Sequence, residues 1–464
     1  MFRKATYRVG VRVVAAVALI FACAGNALAQ GGAAVTAYSP YTMFGIGELQ
    51  TIGTAPMRAM GGVGVAWYST QMPSLVNPAG YSATLQKSFI FGFGAEANFL
   101  QNSQRKYGSA GEYLRTAKNA KNTANFHEIA VQFPLTKKLG LGLSLMPYSS
   151  VGYKMSFIDL NDEITGNVGP ASYTYSGDGD VTEVKLGVGW EPFKGFSIGL
   201  AAKYYWGKIS HNYTAAIENN FVGEGSLFSV IGEDEYAISN FKFQAGILWN
   251  IIANEKQMLT LGATYDYGGS LRPKVTKSIY LNDTYETVAY KETDISQMCL
   301  PHSIKAGLMY QNAKFMAAVE YEFGAWGSAN AGRFEEQMSN GMLVKYVDTH
   351  TAKVGFAYTP NRFDVRNYLK RMAYRTGFRY SNYYQTYNGK GIQQIAVTAG
   401  IGFPIKFMGT SSIDICFEYG LRGSHATFEN MGERIGLIRQ DYFKIGLGLS
   451  LFGEDYWFVR PKYD

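Results

Sequence analysis

Apolar and polar residues alternate with a period of two along many segments of this chain. From position 413 to position 422 every odd residue is apolar, whereas the even residues include Asp414, Glu418 and Arg422. Because successive side chains of a β-strand point to opposite faces, each such segment is predicted to be a strand with one apolar and one polar face. About 14 segments qualify, many of them about ten residues long. Their centres lie near Phe91, Ala130, Leu143, Leu186, Leu200, Ala245, Leu261, Ala306, Ala318, Val354, Gly377, Thr398, Ile415 and Leu447.

The connections between these predicted strands alternate between long and short, except that the connection at 360–370, where a short one is due, is of medium length. Long connections at one end and short turns at the other are typical of a transmembrane β-barrel, and a soluble sandwich has no reason for them. We therefore predict an all-β protein, a transmembrane antiparallel barrel of about 14 strands whose apolar faces contact lipid. The long connections fall near 100–122, 154–180, 210–235, 268–300, 324–345 and 424–440, and the short ones at 134–138, 192–195, 253–256 and 311–314.

In such a barrel the polar faces of the strands line the lumen. Unpaired buried charges are costly, so we expect the charged residues there to form ion pairs. One pairing follows from consecutive strands: Glu320 or Glu322 should lie near Lys353. The charged residues predicted to face the lumen are Glu320, Glu322, Lys353, Arg375, Arg379, Glu418 and Arg422.

The first 29 residues have the features of a secretory signal peptide. Basic residues precede an apolar stretch at 13–24, and Ala27-Leu28-Ala29 supplies a small-x-small cleavage pattern. A lipoprotein signal ending at Cys23 is the alternative. Removing the four basic residues of this segment leaves 39 basic and 36 acidic residues in the mature chain, a net charge of +3. That balance predicts no nucleic-acid partner.

Composition and motifs exclude several other classes. The content of aromatic residues, 15%, is too high for a disordered chain. Only Cys299 and Cys416 remain after residue 29, which is too few for a disulfide scaffold. Serine-hydrolase, zinc-protease and phosphate-binding motifs are missing, and the acidic segment 159–163 does not fit a calcium loop. We predict no enzyme activity, no cofactor and no metal, with a site assembled from distant strands as the open alternative.

The segment between the signal peptide and the first strand differs from the rest. Residues 30–86 are rich in glycine, include Gly61 and Gly62, and contain the sequence Asn77-Pro78-Ala79 shortly before the first strand. This prologue, followed by about 14 strands, resembles the FadL-type outer-membrane channels for long-chain fatty acids and other hydrophobic compounds. The resemblance extends over most of the mature chain, but the tail after Phe452 departs from it.

The resemblance implies a division of the chain and a function. Residues 30–86 would be a hatch in the lumen, with Gly61, Gly62, Asn77, Pro78 and Ala79 as its hatch or gating residues. Residues 87–464 would form the barrel, with a short periplasmic tail, in the outer membrane of a Gram-negative bacterium. The expected function is passive uptake of hydrophobic small molecules or lipids such as long-chain fatty acids. The alternative is a non-transporting barrel that is a structural or secretion-system partner of another protein at the outer membrane.

Overall fold

The computed structural model describes residues 38–86, 88–108, 110–159, 171–219, 226–281, 286–293, 298–329, 343–406, 410–430 and 433–454. Within these ranges the chain forms 14 long antiparallel strands that close into a barrel. The strands are β1 Ile90–Tyr107, β2 Tyr113–Pro134, β3 Leu139–Asp159, β4 Ala171–Phe193, β5 Phe196–Asn219, β6 Ser226–Ala253, β7 Gln257–Asp266, β8 Ser303–Asn312, β9 Phe315–Gly324, β10 Thr349–Tyr358, β11 Ala373–Tyr387, β12 Lys390–Lys406, β13 Thr410–Arg422 and β14 Ile438–Gly453.

Each strand pairs with its neighbours in sequence, and the last strand pairs with the first. The closing ladder between β1 and β14 runs from Phe91↔Leu451 to Gln104↔Ile438. Each of the 14 predicted strand centres lies in a different strand of this barrel. The predicted fold class is therefore confirmed.

The two faces of the strands also follow the alternation. On β6 the side chains of Phe241, Phe243 and Trp249 are exposed outward, whereas Lys242 and Gln244 are buried in the interior. An apolar outer surface around a polar interior suits a barrel that spans a lipid bilayer. β-Bulges interrupt the pattern locally: at the bulge opposite the Gly94–Ala95 step, both His127 and Glu128 point inward. With strict alternation His127 would share the outer face of Ile129 and Val131, and the extra residue of the bulge turns it inward.

Much of the predicted long connections is strand rather than loop. β6 has 28 residues and β7 has 10, so β6 is longer by about 60 Å along the strand. The outer ends of β3, β4, β5 and β6 stay paired beyond the barrel wall. A hairpin of Lys274–Leu281 and Glu286–Thr293 extends them by pairing with residues 230–237 of β6. We call these paired ends and the hairpin the projecting sheet.

Residues 38–86, here called the plug, lie inside the barrel. The plug contains a short 3-10 helix at Pro40–Met43, a strand at Glu48–Leu49, one helical turn at Ala55–Arg58 and a 3-10 helix at Pro78–Ala83. Most of its residues are buried. Among the described residues, no helix is both long and apolar enough to cross a membrane. The predicted signal peptide and the tail after residue 454 lie outside the described residues.

An aromatic core closes the barrel at the end of the long connections. The plug residues Tyr41, Phe44 and Ile46 pack there with side chains from the wall and the long connections, and we call this cluster the outer-end core. Tyr384 stacks on Trp326 with ring centroids 4.5 Å apart. Burial of this much aromatic surface fixes the N-terminal part of the plug against the mouth of the barrel. Other members of the outer-end core are Tyr153, Ile209, Ile238, Val344, Tyr383, Tyr387, Phe428 and Leu437.

Among the described parts of the strands, the wall has one discontinuity, between β2 and β3. Their ladder extends only from Ile129↔Leu145 to Pro134↔Gly140. Toward the end of the barrel with the long connections, the edge of β3 pairs with the plug instead, because Glu48 and Leu49 lie opposite Ser150 and Ser149. β2 continues upward in its ladder with β1. The two strands therefore separate in the upper part of the wall, and the plug lies between them.

Candidate functional site

The strongest candidate site is the lumen, where the plug meets the inner wall. Asn77 lies at its centre and is fully buried. Its side-chain amide donates to the carbonyl oxygens of Val65, at 2.8 Å, and Ile247 on β6, at 2.9 Å. Its Oδ1 accepts the backbone N–H of Ala79 at 3.0 Å and so caps the 3-10 helix that begins at Pro78. One side chain therefore joins two parts of the plug to the wall.

Gly61 and Gly62 form the tight turn after the helical turn of the plug. Their φ angles, +77° and +85°, lie in the left-handed region that favours glycine. A Cβ on Gly61 would lie 2.7 Å from the carbonyl oxygen of Phe378. The Gly61 N–H instead donates to Thr398 Oγ1 at 2.8 Å, which ties this turn to β12.

Glycines of the wall create the room that the plug occupies. A Cβ on Gly199 would lie 2.3 Å from the Ala79 nitrogen, and one on Gly246 would lie 2.2 Å from Asn77 Oδ1. On the opposite side, a Cβ on Gly377 would lie 2.2 Å from the Gly61 nitrogen. These glycines occupy positions of their strands that face inward, so the alternation that predicts the strands also locates them. Their role in leaving room for the plug was not evident from sequence.

The acidic residues Glu320 and Glu322 meet Lys353 across neighbouring strands. Lys353 Nζ lies 2.8 Å from Glu320 Oε1 and 3.1 Å from Glu322 Oε2. The other oxygen of Glu320 accepts the N–H groups of Gly64 and Val65 in the plug at 2.7 and 2.9 Å. Glu320 thus connects the wall charge network to the plug backbone.

The remaining charges named from sequence also lie in the lumen, and each has a partner. Arg375 pairs with Asp414 at 2.6 Å, and Arg379 pairs with Glu418. Arg422 reaches into the plug and pairs with Glu48 at 2.6 Å. Burial by itself would raise the pKa of Glu48, but the charge and the hydrogen bond of Arg422, together with the charge of Lys444, outweigh burial and hold the pKa below its usual value.

Sequence reasoning missed several charges of this network. The plug residue Arg58 pairs with Glu96 on β1, whose other oxygen lies 3.1 Å from Lys444. Lys203 pairs with Asp266 at 2.7 Å, and Lys305 pairs with Glu322 at 3.0 Å. Five of these charges lie in predicted strands, at positions that alternation assigns to the inner face: Glu96, Lys203, Asp266, Lys305 and Lys444. The sequence gives no such indication for Arg58 and Glu48, because the plug has no regular period of apolar residues.

A cavity of about 190 Å³ remains between the plug strand and the upper wall. Its lining combines nine charged side chains and other hydrogen-bonding groups with apolar and aromatic side chains such as Tyr148, Tyr205 and Leu300. No group of three or more metal-binding side chains occurs in the part of the chain that the structure describes. The charged groups that line the cavity are Glu48, Lys203, Lys242, Asp266, Lys305, Glu322, Lys353, Arg379 and Arg422.

Comparison with known proteins gives a family and a fold. A family model described as BamG matches residues 2–464. Among curated proteins, no match was found.

Several solved structures share the fold of this chain. A FadL homologue from Pseudomonas aeruginosa has 14% sequence identity and a TM-score of 0.60, with 88% of this chain and 100% of that chain covered. The Pseudomonas putida toluene transporter TodX has 16% identity and a TM-score of 0.52, with 88% and 99% covered. The CymD monoaromatic hydrocarbon channel has 11% identity and a TM-score of 0.53, with 88% and 100% covered. The resemblance to FadL-type proteins is thus confirmed for the fold.

Proposed function

The chain belongs to the BamG family, and we propose that it is a plugged, non-transporting barrel of the Gram-negative outer membrane that docks a protein partner. The observation that carries this proposal is the double closure of the lumen. The outer-end core closes one mouth, and the plug is bonded to the wall below it. A barrel that is filled in this way serves better as a rigid platform than as a pore.

The bonds between plug and wall are spread around the barrel. Arg58 pairs with Glu96 on β1, Glu320 on β9 accepts two plug N–H groups, and Arg422 on β13 pairs with Glu48. Removing one partner of a buried ion pair typically costs about 3–5 kcal/mol. Moving the plug would break several such contacts together, so the plug is expected to stay in place.

The chemistry of the cavity points in the same direction. A hydrophobic ligand gains free energy by leaving water for an apolar site. The cavity next to the outer-end core places charged groups such as Lys203, Asp266 and Lys305 beside its apolar side chains. Displacing water from these groups without replacing its hydrogen bonds is unfavourable. Long-chain fatty acids and aromatic hydrocarbons therefore fit this lumen poorly.

The projecting sheet is the surface that we assign to the partner. It is ordered by continuous ladders and by cross-strand ion pairs, among them Lys277 with Asp234 at 2.9 Å. Its outermost described strand, Glu286–Thr293, pairs on one side with Lys274–Leu281. A sheet edge of this kind can accept a strand from another protein.

The test is the size of the native complex. Outer membranes would be extracted in mild detergent and compared on native gels for wild type and a variant that lacks residues 274–293. We expect the wild type to migrate with a second outer-membrane protein and the variant to migrate alone, although both resist unfolding in unheated detergent. A wild type that migrates alone in every mild detergent would contradict the proposal.

A second candidate function is the passive channel for hydrophobic compounds, with residues 30–86 as a movable hatch. The observation that favours it is the discontinuity between β2 and β3, because an opening in the wall would let an apolar solute pass sideways into lipid. The similarity in fold to TodX and CymD is consistent with this candidate. Here Asn77, Pro78, Ala79, Gly61 and Gly62 would form the gate.

Uptake separates the two candidates. Liposomes that contain the wild-type protein would be given a labelled long-chain fatty acid and, separately, a labelled aromatic hydrocarbon. The platform proposal predicts uptake equal to that of empty liposomes for both compounds. Uptake above that level in the wild type, with a change in Asn77→Ala, would support the channel and contradict the platform.

A further inference from the structure

The connection between β10 and β11, residues 359–372, carries the most exposed apolar side chains of the described chain. Phe363 is 84% exposed and Val365 is 92% exposed. Leu369 is also exposed, at 60%, and all three lie outside the strands that form the apolar belt of the barrel. This connection is the one whose medium length interrupts the alternation of long and short connections. Large apolar side chains exposed together at a turn indicate a surface that binds a membrane or another molecule.

The connection is held in a defined shape by its own side chains. Asn361 Oδ1 accepts the N–H of Phe363 at 3.1 Å, and Asp364 Oδ1 accepts the N–H groups of Arg366 and Asn367 at 2.9 and 2.7 Å. These bonds hold the pKa of Asp364 below its usual value. Asn367 Oδ1 accepts the N–H of Leu369 at 3.0 Å. The exposed apolar residues are therefore presented by an ordered turn.

The turn lies against the lipid-facing side of the wall. Tyr374, an outward residue of β11, donates from its hydroxyl to the carbonyl oxygen of Leu369 at 3.1 Å. Tyr368 donates to the carbonyl oxygen of Pro404 on β12 at 3.1 Å. The exposed rings of Phe315 and Tyr358 stack nearby, at the end of β9 and β10, with centroids 4.8 Å apart. The turn thus continues the aromatic belt that marks a membrane surface.

Charge identifies what covers the turn. Arg362, Arg366, Lys370 and Arg371 lie between and beside the apolar residues, whereas Asp364 is the single acidic residue from 359 to 372. Two of the cations have distant acidic neighbours, Arg362 with Glu454 at 4.0 Å and Lys370 with Asp364 at 3.8 Å, and exposed pairs of this kind are weak. Cations that flank exposed Phe, Val and Leu match a surface of anionic headgroups over acyl chains.

We propose that the 359–372 turn is a lipid-binding anchor for anionic phospholipids of the leaflet at the short-turn end of the barrel. Phe363 and Val365 insert at the boundary between headgroups and acyl chains, and the exposed cations Arg362, Arg366 and Lys370 bind headgroup phosphates. This assignment is independent of the platform function, because it uses only the turn and its neighbours on the outer wall.

The test places an environment-sensitive fluorophore on a cysteine at Val365→Cys. The labelled protein would be reconstituted in phosphatidylcholine vesicles with or without phosphatidylglycerol and exposed to nitroxide-labelled lipid or to aqueous iodide. The matched control carries the same fluorophore at Lys256→Cys, in an exposed short turn at the same end. Wild-type protein treated with the same fluorophore measures labelling of the native cysteines, which should be low because Cys299 and Cys416 are buried.

We expect lipid-borne quenching at position 365 to exceed that at position 256 severalfold when phosphatidylglycerol is present. It should fall in the variant Arg362→Gln, Arg366→Gln, Lys370→Gln and in vesicles without the anionic lipid. Iodide quenching as strong at 365 as at 256 would overturn the proposal, because the turn would then face water or be left for a protein partner. Equal lipid quenching with and without phosphatidylglycerol would overturn the recognition of anionic headgroups.

Discussion

At the scale of single residues, Asn77 is the side chain on which the middle of the plug depends. It uses both amide hydrogens and its oxygen on three backbone groups. An amide is suited to this position because it donates and accepts at once and carries no charge that would need a counterion.

Asn77→Ala is expected to destabilise the plug by about 1–3 kcal/mol, because the carbonyls of Val65 and Ile247 and the N–H of Ala79 lose their partner. Hydrogen exchange of plug amides, followed by mass spectrometry, measures this loosening. Asn254→Ala, at an exposed turn, is the control and should leave exchange unchanged. Equal protection of the plug in Asn77→Ala and wild type would show that this contact contributes little.

Lys353 offers a second prediction at this scale. Lys353→Met removes a cation shared by Glu320 and Glu322, and we expect a loss of about 3 kcal/mol in the free energy of unfolding. Urea unfolding from phospholipid vesicles measures it, and adding Glu320→Gln should recover part of the loss. The exposed pair of Lys277 with Asp234 has a similar distance, 2.9 Å, yet Lys277→Met should cost less than about 1 kcal/mol. Similar losses at both sites would mean that burial in the lumen does not strengthen the dependence of folding on this ion pair.

At the scale of elements, the inner face of the strands is shaped to receive the plug. Glycine occupies wall positions that the plug approaches closely: the plug backbone at positions 199 and 377, and the side chain of Asn77 at position 246. Glycine weakens a strand in isolation, so its placement makes sense only with the plug in position.

Gly199→Ala is therefore expected to displace the 3-10 helix of the plug, because the new Cβ would lie 2.3 Å from the Ala79 nitrogen. Gly391→Ala adds the same methyl group to a strand where a Cβ would meet nothing within 4 Å, and it should behave as wild type. Limited proteolysis of folded protein in detergent compares them. Identical cleavage patterns in the two variants would contradict the close packing of plug and wall.

The outward faces give another prediction for the elements. Phe417 lies on the outer face near the middle of β13, and Phe417→Arg should cost about 2–4 kcal/mol of folding free energy in a bilayer. Leu447→Arg on β14 should behave similarly. Leu135→Arg, in an exposed turn at the end of the barrel, serves as the control and should cost about 0–1 kcal/mol. Wild-type folding yields for both strand variants would mean that these faces do not contact lipid.

At the scale of the whole molecule, the question is whether the plug moves. Leu49 lies opposite Ser149 in the pairing between plug and β3, so cysteines at Leu49→Cys and Ser149→Cys can staple the plug across the discontinuity in the wall. A fixed platform should keep its partner complex unchanged in the oxidised and the reduced state. A channel would lose uptake on oxidation and regain it with a reductant, which makes the same sample its own control. Loss of the partner complex on oxidation would mean that docking needs a mobile plug.

The sequence by itself determined the number of strands, their faces away from the bulges and the position in the lumen of the charges named from it. These follow from the two-residue period of an extended chain, which depends on backbone geometry and not on distant contacts. For this reason each of the seven charges from Glu320 to Arg422 that was assigned to the lumen lies there, five as buried side chains and Glu322 and Arg375 in ion pairs with luminal partners. The lengths of the connections distinguished the two ends of the barrel. Much of the long connections, however, is not loop but part of the projecting sheet.

Tertiary structure decided which residues meet. Arg422 and Glu48 are 374 positions apart, and no local pattern indicates that they pair. The register and length of the strand ladders determined two further features. A bulge turned His127 inward, and the short ladder between β2 and β3 left these strands apart over the rest of their length. A shift of one residue reverses every side chain of a strand, and register is set by packing and hydrogen bonding between strands rather than within them. The closure of the lumen, on which the choice between platform and channel depends, is likewise determined by tertiary contacts.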